Sequence, residues 1–420
     1  MSVMSEEKQR LWIEGLSITE LAERYSTPCY IYSHATLESN FIAYQEALRG
    51  HKHLICFAVK ANSNLAILQV LARLGAGFDI VSVGELERVL IAGGDPKKIV
   101  FSGIAKTSVE MRRALEIGIY CFNIESEEEL FLLNQVALDL GLLAPISVRV
   151  NPDVDPVTHP YISTGLKESK FGIDIREAEK IYHKAKKLKN IEIVGIDCHI
   201  GSQITEIQPI IQALEHLIVL CDKLKSQGIC LEHIDLGGGL GVRYENEQPP
   251  SISAFLNSVL KCFSGRNETL VLEPGRSIIA DAGYLITRVQ YLKNNDVKNF
   301  AIVDAGMNDM LRPALYQAWM DIQSVNCDVN KPKKYFDIVG PVCESSDFLG
   351  LKRLMSINAG DLLCMHSAGA YGFAMSSNYN SRPRAAEVMV SGDQAYLVRE
   401  RENLADLTRG ENLLPEQILK

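Results

Sequence analysis

Between residues 55 and 275, short apolar runs alternate with longer segments of helical spacing, and this alternation restricts the fold more than any other feature of the chain. The strand-like runs are LICFAVK (54–60), FDIVS (78–82), IVFSG (99–103), YCFNI (120–124), ISVRV (146–150), EIVGIDCHI (192–200), LEHIDLGGG (231–239) and LVLEP (270–274). Helical spacing follows in Leu65–Leu74, Val83–Ala92, Val109–Ile117 and Glu127–Leu140. Eight such repeats in roughly 220 residues fit a (β/α)8 barrel. Periodicity does not report closure, so an open doubly wound sheet is the alternative arrangement.

Past residue 283 the texture changes. YLITRVQYL (284–292), FAIVDAG (300–306), YFDIVGPV (335–342), DLLCMHSAG (361–369) and AEVMVSGDQAYLV (386–398) are strand-like, with turn residues between them. The reading is an α/β chain with a TIM-like barrel over 35–283 and a mostly β domain over 284–420. PCYIYS (28–33) is also strand-like, so residues 1–34 are expected to pack with the β domain. Two domains suit 420 residues at 47% hydrophobic composition.

The formal net charge is −9, which repels phosphate backbones, and no basic run is dense enough to reverse this. Lys184, Lys186, Lys187 and Lys189 read as a solvated helix face. The start, MSVMSEEKQRLW, has charges and no apolar core, unlike a secretory signal. No run approaches the roughly 18 apolar residues of a membrane span. The ten cysteines form no C-x-x-C pair, so reduced core thiols, no metal site and a cytoplasmic location are expected.

One connection stands out. NPDVDPVTHPYISTGLKESKFGI, between the strand ending near Val150 and the helix starting near Arg176, is long and rich in Pro, Asp and Thr. Loops of that length are usually functional or disordered, and on a barrel this one follows a strand's C-terminal end. It reads as a lid over residues 151–175.

Barrel active sites are built at those strand ends. The first strand ends in FAVKAN. Lys60 there is either a snorkelling surface lysine or a partly buried amine whose lowered pKa suits Schiff-base chemistry. The sixth ends in DCHIGSQ, where His199 is either a core histidine or a group that stacks on a planar ligand. The seventh runs into GGGLG (237–241), whose glycines either form a plain tight turn or let backbone N–H groups approach a phosphate. The dinucleotide fingerprint fails, because the third glycine falls on Val242. The eighth ends in Glu273, Pro274, Gly275 and Arg276. Loops seven and eight are the common phosphate-binding pair of barrels. The β-rich part adds DAGMNDMLRPALY (304–316), GPVCESSD (340–347) and SAGAYGFAMSSNYNSRPRAAEV (367–388). Cys343, set between Gly-Pro and Glu-Ser-Ser-Asp, reads as exposed and polar rather than as a core thiol.

FAVKAN, HIGSQ, GGGLG and EPGR, followed in order by MNDMLRPALY, GPVCESSD and AGAYG…NYNSRPR, resemble the diaminopimelate decarboxylases over nearly the whole chain. That family uses pyridoxal phosphate on the alanine racemase-like architecture called fold type III. The resemblance implies a Schiff base on Lys60, Glu273 against the pyridine nitrogen and His199 on the ring face. Ser202, Gly239, Pro274, Gly275, Arg276 and Tyr371 would hold the cofactor, chiefly its phosphate. Arg276, Arg312, Tyr316, Glu344 and Tyr371 would hold a diamino acid. Cys343 would donate a proton, reaching with Glu344 into the neighbouring subunit of a homodimer. The implied reaction is removal of one carboxylate of meso-diaminopimelate to give L-lysine.

Charge supports that substrate. Its far carboxylate needs guanidinium partners, which Arg276 and Arg312 supply, and its far ammonium needs an anion, which Glu344 supplies. A lysine or ornithine decarboxylase has no use for Arg312. A racemase would need a second acid–base residue and would leave GPVCESSD unexplained. A non-catalytic carrier would not need Cys343.

Overall fold

The computed structural model describes residues 6–7, 10–155, 170–325 and 332–418. The chain divides into two compact units. One comprises His34–Ala282 with Gly369–Ala374; the other comprises Met1–Ser33, Gly283–Ala368 and Met375–Lys420.

The first unit is a closed parallel barrel. Its strands are β1 (His53–Ala58), β2 (Gly77–Ile80), β3 (Ile99–Phe101), β4 (Cys121–Ile124), β5 (Ala144–Asn151), β6 (Ile191–Asp197), β7 (His233–Asp235) and β8 (Thr269–Leu272). Each pairs with the next, and β8 returns to β1 through Leu270↔His53, Val271↔Leu54 and Leu272↔Ile55. This pairing excludes the open sheet.

Helices follow the strands where the spacing placed them, and their ends carry the expected caps. Thr107 and Glu110 form a reciprocal capping box ahead of Ser108–Ile117, which ends at Gly118 in the left-handed conformation. After β8, however, only the four residues Arg276–Ile279 are helical. The gap in the ring is filled from the other end of the sequence by His34–Ala47, which packs against Ile252–Cys262 and Leu65–Arg73.

Inside the barrel, side chains alternate by strand period two. The lower layer is apolar and thiol-bearing, with Cys56, Val100, Cys121, Val194 and Val271 clustered together. The layer above it is polar, with Asp79, Ser102, Asn123, Arg149, Asp197 and Asp235 all buried.

In the second unit, Cys29–Ser33 lies inside a mixed sheet. It runs antiparallel to Gly283–Asn294 and parallel to Ala386–Ser391. Its core gathers Ile13, Ile18, Leu21, Ile31, Ile286, Cys364 and Val388. Five strands of this unit escaped the sequence reading: Glu6–Glu7, Arg10–Ile13, Leu16–Ser17, Ile322–Ser324 and the eight-residue Phe348–Met355.

Residues 156–169, the middle of the expected lid, lie outside the described residues. The nine described cysteines are free thiols. Among the described residues no helix is long and apolar enough to cross a membrane.

Candidate active site

The polar end of the barrel is assembled from the C-terminal ends of its strands. After β1 the backbone leaves the extended conformation, and Val59–Ala61 form a single 3-10 turn. The strand therefore stops before Lys60, and the turn carries the lysine at the barrel mouth rather than along a strand. Lys60 Nζ donates to Asp79 Oδ2 at 2.6 Å. Burial works against the ammonium, but the charges of Asp79 and Glu273 outweigh it and raise the Lys60 pKa above the ordinary lysine range. This corrects the expectation of a lowered pKa. The cause is Asp79, an inward acid on β2 that the sequence reading passed over.

Glu273 follows β8 and is buried. Its Oε1 accepts long hydrogen bonds from Asn123 Nδ2 (3.4 Å) and Ser102 Oγ (3.5 Å). Burial first, then Asp235, Asp79 and Asp197, push its carboxyl well above the usual range. Such a group is a strong partner for a protonated ring nitrogen.

His199 Nδ1 accepts from the Gly238 N–H at 3.2 Å, which puts the imidazole proton on Nε2. Burial, with Arg149 and Lys60 nearby, holds the pKa well below the ordinary range, so the ring is neutral and flat.

The glycine loop serves its neighbours as well as any ligand. A Cβ on Gly238 would lie 2.2 Å from Glu273 O, and one on Gly239 (φ +108°) would lie 2.6 Å from Gly201 O. These glycines let the loops after β6, β7 and β8 pack backbone to backbone. The sequence reading gave their missing side chains to phosphate approach or to a plain tight turn, not to packing between loops.

Arg276 opens the short helix after Gly275. Its Nη1 donates to Tyr244 Oη (2.8 Å) and its Nη2 to Ser202 Oγ (3.0 Å). Its guanidinium lies 4.7 Å from the centre of the Tyr371 ring. Tyr371 is held at φ +56°, a costly conformation for an aromatic residue. The Tyr371 N–H bond (2.8 Å) to the O of Ala61, in the turn that carries Lys60, and the Arg276 contact fix it there.

Thus Lys60, His199, Ser202, Gly239, Glu273, Pro274, Gly275, Arg276 and Tyr371 all belong to the barrel unit. This set fits pyridoxal phosphate: a primary amine, a buried carboxyl of raised proton affinity, a neutral flat imidazole and close-packed glycine turns.

Arg312, Tyr316, Cys343 and Glu344 belong to the other unit. Arg312 is buried at the start of Arg312–Tyr316, with Nη1 3.0 Å from Met320 Sδ. Cys343 and Glu344 are exposed on a loop held by two side chains that the sequence reading did not single out. Asp347 accepts from the Met307 N–H (2.6 Å) and the Val342 N–H (2.7 Å), and so ties the MNDMLRPALY loop to the GPVCESSD loop. Asn380 Oδ1 accepts from the Cys343 N–H at 2.7 Å. The two loops meet so closely that a Cβ on Gly340 would lie 2.5 Å from Gly306 Cα.

Comparison with known proteins agrees with this chemistry. Residues 34–280 match the family model for the pyridoxal-binding domain of pyridoxal-dependent decarboxylases. Diaminopimelate decarboxylase of Pseudomonas aeruginosa is 58% identical over 416 residues, covering 99% of this chain and 100% of that protein. The crystal structure of diaminopimelate decarboxylase from Helicobacter pylori complexed with L-lysine aligns with a TM-score of 0.90 at 45% identity, covering 93% of this chain and 98% of that one. The M. jannaschii enzyme in co-complex with L-lysine aligns at 0.93 with 40% identity, covering 99% and 98%. With a barrel mouth built for pyridoxal phosphate and relatives matched along nearly their whole length, this chain belongs to the pyridoxal-dependent decarboxylases and, within them, to the diaminopimelate decarboxylase family.

Proposed function

We propose that the protein removes one carboxylate of meso-diaminopimelate to yield L-lysine and carbon dioxide, as a cytoplasmic homodimer. The observation that carries this reading is the pairing of Lys60 with Asp79 beside the buried Glu273, in a chain 58% identical to a diaminopimelate decarboxylase along its whole length.

Lys60 Nζ would attach the cofactor. Glu273 would hold the proton on its pyridine nitrogen, and the neutral His199 would pack against its ring. Ser202, Gly239, Tyr371 and the backbone of Pro274, Gly275 and Arg276 would hold its phosphate. When bound, pyridoxal phosphate supplies the electron sink that the departing carbon dioxide requires. Cys343 Sγ then delivers a proton to the substrate α-carbon, and its exposure on a loop suits a group that serves a neighbouring subunit. Arg276, Arg312 and Tyr316 hold the substrate's far carboxylate, and Glu344 holds its far ammonium.

The test is carbon dioxide release by the cofactor-loaded protein given meso-diaminopimelate, L-lysine or L-ornithine in parallel. Release from meso-diaminopimelate alone is expected. Release only from lysine or ornithine would keep the cofactor assignment and overturn the roles of Arg312 and Glu344.

Arg312 sets that choice. Truncating one partner of a desolvated charge pair costs about 3 kcal/mol, on the order of 10²-fold. Arg312→Ala is therefore expected to lose about that factor in kcat/KM for meso-diaminopimelate while keeping the bound cofactor's absorption. Equal losses of activity and cofactor would assign Arg312 to folding instead.

A further inference from the structure

The polar half of the barrel interior contains more acids than bases. Asp79, Asp197, Asp235 and Glu273 are buried there, and Glu125 joins them from the end of β4. Two cations face these five acids. Lys60 is engaged by Asp79 at 2.6 Å. Arg149 Nη1 is 3.0 Å from Glu125 Oε1, and its Nε is 3.9 Å from Asp197 Oδ2. The other buried lysine nearby among the described residues, Lys106, is engaged by its own acid, Glu129, at 2.6 Å. Burial holds His199 well below the imidazole range and His233 at about 4, so both are neutral. Burial likewise pushes the thiols of Cys56, Cys121 and Cys198 up, so they carry no charge. Buried acids this close do not all ionise together.

The geometry indicates where a proton resides. Asp197 and Asp235 are register partners on the adjacent strands β6 and β7. One carboxylate oxygen from each of Asp197, Asp235 and Glu273 lies within 4.8 Å of the others. Asp235 Oδ1 accepts from the Gly237 N–H at 2.8 Å. Asp197 Oδ1 and Asp235 Oδ2 are buried and meet no donor among the described residues. Asp235 also has the Glu273 carboxyl within hydrogen-bond reach, but a proton placed between those two would leave Asp197 Oδ1 without a donor. Two unpartnered acceptors on neighbouring acids repel when both are ionised. A single proton between them converts the repulsion into an O–H···O bond.

We propose that Asp197 and Asp235 hold one proton between them in the working enzyme, as positioning residues that leave Glu273 as the carboxylate facing the cofactor's pyridine nitrogen. With both aspartates ionised, Glu273 would take up the proton itself and meet the ring as a neutral acid. With one proton in the pair, Glu273 keeps its charge and a single negative neighbour strengthens its hold on the ring proton. This inference rests on the cofactor assignment above.

Charge counting tests it. Asp197→Asn or Asp235→Asn alone leaves the pair with one charge, as proposed for the native protein; the double variant leaves none. The readout is the pH midpoint of the bound cofactor's absorption in purified holoenzyme. Both single variants are expected to titrate within about half a unit of the wild type. The double variant is expected to fall by about one unit or more, the usual effect of a charge within a few ångströms. A drop that large in each single variant would mean that both aspartates ionise, and would overturn the proposal.

Infrared spectra of the wild-type holoenzyme give a check that requires no variant to fold. A protonated-carboxyl C=O band that shifts in D2O is expected, and it disappears in either single variant. Its absence from the wild type, or a stoichiometric divalent cation in the purified protein, would overturn the proposal. Failure to load the cofactor at all would count against the earlier reading, while the infrared band would still report on the pair.

Discussion

Lys60→Ala is expected to abolish the visible absorption of the bound cofactor and to reduce turnover by on the order of 10⁴-fold or more. The argument starts from a turn. Val59–Ala61 leave the strand, and the turn is braced by the Tyr371 N–H bond to Ala61 O. This places one primary amine at the barrel mouth with its ammonium against Asp79. On the proposed assignment the cofactor's covalent attachment requires that amine. The alanine variant also deprives the fully buried Asp79 of its partner, so loss of activity alone would not separate chemistry from folding. Lys60→Arg makes the separation. It keeps a cation for Asp79 but cannot form the linkage, so it is expected to unfold at the wild-type denaturant concentration and still lack both absorption and turnover. An unchanged spectrum in either variant would remove Lys60 from its role.

The barrel was legible because its strands are short apolar runs separated by amphipathic helices, and that pattern follows from burial on both faces of a parallel sheet. Closure was not legible. It depends on pairing Leu270–Leu272 with His53–Ile55, a long-range contact with no local signature. Nor does the pattern show that the eighth helical position is filled by His34–Ala47, from before the first strand.

The site divides in the same way. Residues at strand ends, such as Lys60, His199 and Glu273, were readable because a polar group follows an apolar run. Asp79, Arg149, Asp197 and Asp235 were missed because they sit within FDIVS, ISVRV, EIVGIDCHI and LEHIDLGGG, where the apolar neighbours dominated the reading. Their signal was present as period two: an inward polar residue between outward apolar ones. Asp347 and Asn380 were hidden for another reason. Their work is to accept backbone N–H groups from loops distant in sequence, and no motif encodes that.

Cys343→Ala is expected to keep the cofactor absorption and lose about 10²–10⁴-fold in turnover, the range for removal of a positioned acid. The thiol lies on an exposed loop whose backbone is pinned on both sides of the residue before it. Val342 is held by Asp347, and Cys343 by Asn380, itself in the left-handed conformation at φ +56°. Truncation to alanine changes none of these backbone bonds, so the fold is retained and the loss reports on the proton. Wild-type turnover in this variant would end the assignment.

The same substitution tests whether the thiol serves a neighbouring copy. Lys60→Ala and Cys343→Ala chains, each inactive, are mixed after unfolding and refolded together. If Cys343 acts in the partner's barrel, each mixed dimer has one site with both residues intact. Random pairing then restores roughly one quarter of the wild-type activity. If the thiol serves its own barrel, every site in every dimer lacks one of the two groups, and mixing restores nothing.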